Sequence, residues 1–388
     1  MSNTKATLLE WRFFLVYAAL FIPYSLVTPY MQQLLHLYGY RPDQIGYILG
    51  MLELMAVVAP PIWGIFSDRI KAPRATLIVV ILSSALTMFL LRPGQSTFVA
   101  LIAALIFGFC LKPSIPLTDG ITFAQFAHTG ANYGHVRIGG TVAFIFNVFV
   151  MERLLHIGED TTGHLILAVL CASFMIEALS VALIPKMNAV PSVRKTFEPF
   201  PWRTMLAPGF LFFITAAFLA RFAMMGYYSF FSRYLNEVVG CETVGYIWLI
   251  GPISEFPVIF WSGAIIRRIG IKRLFVLAMV GTVLRLFGFA FGSTLPVVII
   301  LQPLHALTLG AFHVSSVSWI GEQFPSKYQG TAQTVFFALT TGLGGVLGSA
   351  VAGVVLQHHG YTAMYMACGT VATVAFVLSL FCKRNTNN

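Results

Sequence analysis

The sequence predicts an all-α membrane protein: twelve transmembrane helices in two pseudo-symmetric six-helix bundles, with both termini cytoplasmic. Three observations carry this reading. Hydrophobic residues make up 57% of the 388 and charged residues only 10%, against roughly 25% charged in soluble domains. Apolar stretches long enough to cross the bilayer core, about 20 residues as helix, recur twelve times. The second half of the chain also repeats the first at a fixed offset: Gly46-Tyr47-Ile48 returns as Gly245-Tyr246-Ile247.

The composition excludes several classes. An aromatic content of 14%, with 35 Phe, is hard to bury in one aqueous core, whereas lipid-facing helix surfaces accept it. The net charge of +10 is not gathered into the stripe that nucleic-acid binding needs; the basic residues lie in short loops between apolar segments, so no nucleic-acid partner is expected. The five cysteines, Cys110, Cys171, Cys241, Cys368 and Cys382, show no CxxC spacing. No nucleophile triad, metal-ligand cluster or nucleotide loop is present, so no enzymatic activity, cofactor or metal is expected.

Taken in order, the spans are expected at about 9–37, 43–66, 73–92, 96–124, 132–154, 163–185, 207–235, 242–266, 271–291, 295–320, 329–357 and 361–382. The first follows a short polar start and is too long for the apolar core of a signal peptide, so it is read as a retained span. The second runs into the basic loop GIFSDRIKAPR, residues 64–74. The fourth carries Lys112 and Asp119, the fifth Arg137 and the sixth Glu177. The seventh holds Arg221, Tyr227 and Tyr228. In the eighth, Glu255 stands between Pro252 and Pro257, whose missing donors and ring bulk can bend a helix. Arg285 is central in the ninth. In the tenth, Gln302, His305, Leu309, His313 and Ser316 fall on one face at 100° per residue. The eleventh holds Gly342, Gly344, Gly345 and Gly348, a spacing that permits close helix approach, and the twelfth ends at Lys383 and Arg384.

Loop charge orients the spans. Lys5, Arg12, Arg69, Lys71, Arg74, Lys186, Arg194, Lys195, Arg203, Arg267, Arg268, Lys272, Arg273, Lys327, Lys383 and Arg384 fall on one side; Arg41, Arg92 and Arg153 fall on the other, together with Asp43, Glu152, Glu159, Asp160, Glu237 and Glu242. The positive-inside rule assigns the basic side, with both termini, to the cytoplasm. Residues 186–206 form the longest polar break and read as a cytoplasmic linker between an N-terminal bundle, residues 1–185, and a C-terminal bundle, residues 207–388. A half-chain repeat of six spans implies bundles related by an axis along the membrane normal, with a solute site expected between them.

The loop at residues 64–74 resembles the loop between the second and third helices of the major facilitator superfamily, matching at Gly64, Asp68, Arg69 and Arg74. The resemblance implies that the glycine allows close packing and that the carboxylate and arginines form a cytoplasmic latch; the alternative is a basic loop that only fixes topology. The second copy, GAIIRRIGIKR, has Arg267 where the acid would stand. Four further stretches, DGITFAQFAHTGANYGHVRIGGTVAFI, GPISEF, LRLFGFAF and QPLHALTLGAFH, resemble the phenylpropionate permease group, relatives of lactose permease. Matching positions are Asp119, Tyr133, Gly134, Arg137, Gly140, Glu255, Arg285, Gln302, His305, His313 and Gln333. The resemblance implies transport by proton symport, with Asp119 and Arg137 contacting the solute.

Ionisable groups at mid-bilayer are costly and mark function by default. The chain places four acids there, Glu53, Asp119, Glu177 and Glu255, and four bases, Lys112, Arg137, Arg221 and Arg285, so protonating one acid leaves a net positive interior that suits an anion. The solute-binding candidates are Lys112, Asp119, Arg137, Tyr24, Tyr30, Tyr227 and Gln302. Asp119 with Arg137 is the favoured charge pair, a structural salt bridge being the alternative. The proton-coupling candidates are Glu255, Arg285, His305 and His313; the alternatives are a fixed Glu255–Arg285 pair and a packed histidine. The expected function is secondary active, proton-coupled uptake of a small organic solute by alternating access, an aromatic carboxylate being favoured over a sugar, nucleoside or siderophore. The alternative is a proton-antiport exporter of amphiphilic compounds. A monomer in a bacterial inner membrane is expected, with protons, the solute and the lipid bilayer as its partners.

Overall fold

In the computed structural model, residues 2–126, 129, 131–157, 162–185 and 201–383 are described, with side chains described outside 2–6, 326 and 327. Expectations for Glu159, Asp160, Arg384 and linker positions 186–200 fall outside these residues.

Among the described residues every regular element is helical. In chain order these are α1 (Ser2–Leu37), α2 (Pro42–Ile70), α3 (Pro73–Thr87), α4 (Thr97–Leu111), α5 (Ser114–Phe126), α6 (Tyr133–Arg153) and α7 (His164–Ser180). A short α8 (Trp202–Met205) precedes α9 (Pro208–Tyr234), α10 (Val244–Phe260), α11 (Ser262–Ile269) and α12 (Ile271–Phe291). The chain closes with α13 (Leu295–Leu301), α14 (Phe312–Gln323), α15 (Ser326–Phe337) and α16 (Gly344–Leu380).

Several spans are composite. Helices α4 and α5 join into one apolar run, Thr97–Phe126. The eighth span bends by 63° between α10 and α11, where Trp261 leaves helical geometry a turn beyond Pro257. The final run, Tyr328–Leu380, is 53 residues long and divides at Gly360, whose φ of 79° and ψ of 178° no helix allows; a glycine supplies that positive φ without steric cost. Counted so, the spans number twelve, in the expected order.

Local chemistry explains the boundaries. Ser96 caps α4 by accepting from the Val99 N–H, and the Asn132 side chain caps α6 by accepting from the Gly134 N–H, each satisfying a donor that has no partner within its own helix. Pro73 and Pro208 open α3 and α9, where a missing N–H costs nothing. Lys71, with φ of 51°, turns the chain out of α2 and into α3.

The chain forms two compact units: Met1–Tyr40 with Met51–Lys195, and Arg41–Gly50 with Thr196–Asn388. In the first, α6 lies along α1. A Cβ at Gly139 would sit 2.5 Å from the Phe14 carbonyl oxygen, and one at Gly140 2.6 Å from the Phe21 ring, so these two glycines set the approach of α6 to α1. In the second unit, Phe213 stacks on Trp319 and Phe336, with ring centroids 5.2 and 5.6 Å apart, and Phe210, Phe275 and Ala311 complete this core. The four-glycine run of the eleventh span meets α9: a Cβ at Gly348 would lie 2.3 Å from the Phe222 carbonyl oxygen. The start of α2 belongs to this unit as well, with the Ser349 hydroxyl donating to the Gly46 carbonyl at 2.8 Å.

Candidate functional site

In the first unit the polar network begins at Asp119 on α5. One of its carboxylate oxygens accepts from the hydroxyls of Tyr17, on α1, and Tyr133, at the start of α6, the latter at 3.0 Å. Tyr17 also contacts the Thr122 hydroxyl at 3.2 Å. The expected Asp119–Arg137 salt bridge is not formed. The two tyrosines occupy Asp119, and the close α1–α6 contact at Gly140 sets the Arg137 guanidinium over the Phe21 ring, 4.3 Å from its centroid, with the Tyr17 ring at 5.7 Å. Such stacking stabilises a cation by about 0.5–2 kcal/mol. Arg137 makes no hydrogen bond or ion pair with a described residue, so its N–H donors are uncommitted beside two aromatic rings.

Lys112, at the break between α4 and α5, pairs with Glu53 of α2 at 3.0 Å; both side chains are largely buried. This partnership was not read from the sequence, where Lys112 stood as a solute ligand and Glu53 had no partner. Tyr24 spans the same break, donating to the Leu111 carbonyl at 3.1 Å and lying 3.3 Å from the Ser114 hydroxyl. Tyr30 donates to Glu152 at 2.5 Å, and both residues are buried. Glu152 is therefore not the loop acid of the topology reading; it is an inward residue of the last turn of α6. The two first-unit tyrosines among the three expected solute ligands, Tyr24 and Tyr30, thus have their hydroxyls engaged within the protein. Glu177 is buried on α7, and one of its carboxylate oxygens has no hydrogen-bond partner.

The second unit buries a guanidinium completely: Arg285 of α12 is 0% exposed. Its Nη2 donates to Gln302 Oε1, and its Nη1 donates to Thr308 Oγ1 at 3.0 Å and His305 Nδ1 at 2.9 Å. The Tyr227 ring lies beneath it, 3.9 Å away, and the Tyr227 hydroxyl reaches Gln302 at 3.4 Å. Gln302 is fixed in turn by donating to the Ile247 carbonyl at 2.7 Å. Since a guanidinium only donates, His305 Nδ1 must accept, which puts the imidazole proton on Nε2. That nitrogen stands 3.8 Å from Glu255 Oε2, beyond a formed hydrogen bond but within reach of a small side-chain movement.

The fixed Glu255–Arg285 pair weighed from the sequence is thus not formed; His305 lies between acid and guanidinium. The backbone explains how. Residues Gln302–Leu304 form a 3-10 turn and Ala306–Ala311 a π-helix, so the uniform 100° stripe along the tenth span does not hold. Gln302 and His305 enter the network, whereas His313 is exposed and stacks on Phe337, with ring centroids 6.0 Å apart. Gly251 and Gly310 let α10 close onto the π-helix: Cβ atoms there would lie 3.1 Å from the His305 ring and 3.3 Å from Glu255 Cβ. Arg221 of α9 lies over the Tyr228 ring at 4.9 Å.

Sequence reasoning missed Tyr17, Thr308 and Glu152. Tyr17 stands a helical turn from Phe13 and Phe21 on α1, a spacing that gave no reason to prefer it over packing, and Glu152 looked like a loop charge because it borders Arg153. The latch residues are less constrained than expected. Asp68 and Arg69 are exposed and join no salt bridge among the described residues. A Cβ at Gly64 would meet nothing within 4 Å, so no tight packing at Gly64 is present. Arg74 turns instead to the Val181 carbonyl at 3.3 Å.

Twelve helical spans whose interiors hold ionisable side chains bound to tyrosine, glutamine and histidine define a multi-pass membrane transporter and not an enzyme. The profile of the MFS_1 like family matches residues 7–367, and the chain belongs to that family, within the major facilitator superfamily. It is 25% identical to a maltose permease of Geobacillus stearothermophilus, over 98% of this chain and 95% of that one. It is 24% identical to a probable 3-phenylpropionic acid transporter of Escherichia coli (strain K12), over 89% and 90% of the two chains. The solved structure of the nucleoside transporter NupG superposes with a TM-score of 0.80 at 19% identity, covering 97% of this chain and all of that one. These relatives are named for the transport of small organic solutes, and this chain, a multi-pass member of the family, is assigned to the inner membrane.

Proposed function

We propose that this transporter takes up an aromatic carboxylate together with protons, by alternating access. The observation that carries the solute class is Arg137: a guanidinium beside Phe21 and Tyr17, without a carboxylate of its own. Lys112 is committed to Glu53 and Asp119 to two tyrosine hydroxyls, so of the basic residues Lys112 and Arg137 within the first-unit spans it is Arg137 that can meet a solute carboxylate, in surroundings suited to a ring. A bidentate guanidinium–carboxylate contact gives both affinity and orientation. The relative named for 3-phenylpropionic acid agrees with this class.

Coupling is assigned to the second unit. Glu255 takes the proton, His305 Nε2–H is the donor facing it, and Arg285 holds the imidazole in that tautomer through Nδ1. Proton binding at Glu255 removes the negative charge that faces Arg285 across the imidazole, leaving the interior of this unit more positive; an anionic solute and a proton then favour each other's binding. Protonating Nδ1 would break the Arg285 contact, so His305 stays neutral and serves as a hydrogen-bond donor to Glu255, which binds and releases the proton itself.

Thermal stability of the purified protein tests the solute class, because a ligand of the native state raises the midpoint by mass action. Phenylpropionate is expected to raise it, maltose and uridine are not, and Arg137→Gln is expected to remove the shift. Stabilisation by maltose or uridine, with none by phenylpropionate, overturns the aromatic-acid reading.

A further inference from the structure

At the basic end of the first unit, Arg12 of α1 and Arg74 of α3 line an open cleft of about 380 Å³, together with Ala182, Leu183, Ile184 and Pro185 where the sixth span ends. Among the described residues no carboxylate lines it. Arg74 Nη2 makes a single 3.3 Å bond to the Val181 carbonyl, and Arg74 Nε is buried without a hydrogen-bond partner. Arg12 has no hydrogen bond or ion pair with a described residue. Each guanidinium carries five donors, so the cleft brings together nearly two full sets with one long bond among them. The carbonyl end of the sixth span offsets about half a charge, which leaves the cleft positive.

Its setting is amphipathic. Leu183 is 37% exposed at the cleft wall, and Trp11 and Leu15, beside Arg12 on α1, are 60% and 50% exposed. Apolar exposure next to paired arginines at the end of a span belongs at the membrane–water boundary, where basic pockets between helices hold anionic headgroups. The donor geometry asks for a compact anion with several oxygens on one centre, which a phosphate provides and a lone carboxylate does not.

We propose that Arg12 and Arg74 form a phosphate-binding site at this edge of the first unit, filled by an anionic phospholipid headgroup or by a soluble phosphate. The site is separate from the Asp119–Arg137 network and does not rest on the solute assignment.

The test uses the full chain purified in dodecyl maltoside, titrated separately with phosphatidylglycerol, phosphatidylcholine and inorganic phosphate. Thermal midpoints and native mass spectrometry of retained lipid are the readouts. Phosphatidylglycerol is expected to raise the midpoint and to remain bound, with phosphatidylcholine weaker. Arg12→Gln, which removes an exposed side chain with no protein hydrogen bond, is expected to leave the lipid-free midpoint unchanged while weakening phosphatidylglycerol binding roughly tenfold. The Arg12→Gln/Arg74→Gln double variant is expected to abolish it. An equal shift with inorganic phosphate alone identifies a soluble phosphate as the ligand; a shift with phosphatidylglycerol only identifies the headgroup. No shift with either, or an undiminished phosphatidylglycerol shift in the double variant, overturns the site.

Discussion

At the residue scale, the interior charges divide into those the protein satisfies and those it leaves to act. Lys112 with Glu53, and Tyr30 with Glu152, are partnered within the protein; removing one partner costs the other a contact in a buried setting. Arg137, which makes no hydrogen bond or ion pair with a described residue, belongs to the second group, and Glu255 is proposed to act by taking up the proton opposite His305. Glu255→Gln is expected to abolish uphill accumulation while solute exchange at equal concentrations persists, measured in the same vesicles; normal pH-driven accumulation in that variant removes Glu255 from the coupling role. Arg137→Gln is expected to raise the KM for aromatic carboxylates roughly tenfold or more, the loss of a charge-assisted contact, with Arg137→Lys intermediate because the fork is lost and the charge kept. The identities of these residues were legible because ionisable groups are rare in lipid-spanning segments. Their pairing was not. Asp119 and Arg137 looked complementary in sequence, yet two tyrosine hydroxyls and an aromatic ring each offered a closer partner, and no spacing rule reports which wins.

At the element scale, the spans were readable almost to their ends, because apolar length and flanking charge are local properties. Departures from regular helix were less so. The 3-10 turn and π-helix that follow Leu301 bring Gln302, His305 and Thr308 around one guanidinium, and a stripe drawn at constant pitch wrongly included His313. Pro252 and Pro257 announced a disturbed eighth span, and its 63° bend falls a turn later, where Trp261 takes up the distortion. Helix approach was legible where glycines cluster, as at Gly348. Gly140 carries the sharper test, since it sets α6 against α1 and so seats Arg137 on Phe21. Gly140→Leu forces its side chain into the Phe21 ring and is expected to destabilise the first unit by about 1–3 kcal/mol, seen as a lower thermal midpoint together with weakened solute binding. A variant of unchanged stability and affinity contradicts this placement.

At the scale of the whole molecule, the half-chain repeat and the hydropathy together indicate two six-helix bundles from sequence, because both bundles solve the same problem of hiding backbone polarity from lipid. The proposed function is asymmetric where the fold is repetitive. The first unit holds a carboxylate fixed by tyrosines and an open arginine; the second holds a fixed arginine and an acid facing an imidazole. The repeat gave no sign of this division, since Glu255 and Arg285 have no acidic or basic counterparts 199 residues earlier, where Ala56 and Leu86 stand. The most direct measurement is accumulation of labelled phenylpropionate in right-side-out vesicles when the outside is made acidic. Symport predicts transient uptake above equilibrium that collapses with a protonophore and is absent in Glu255→Gln. Uptake indifferent to the proton gradient, or acid-driven accumulation only in inside-out vesicles, as an antiport exporter would give, contradicts it.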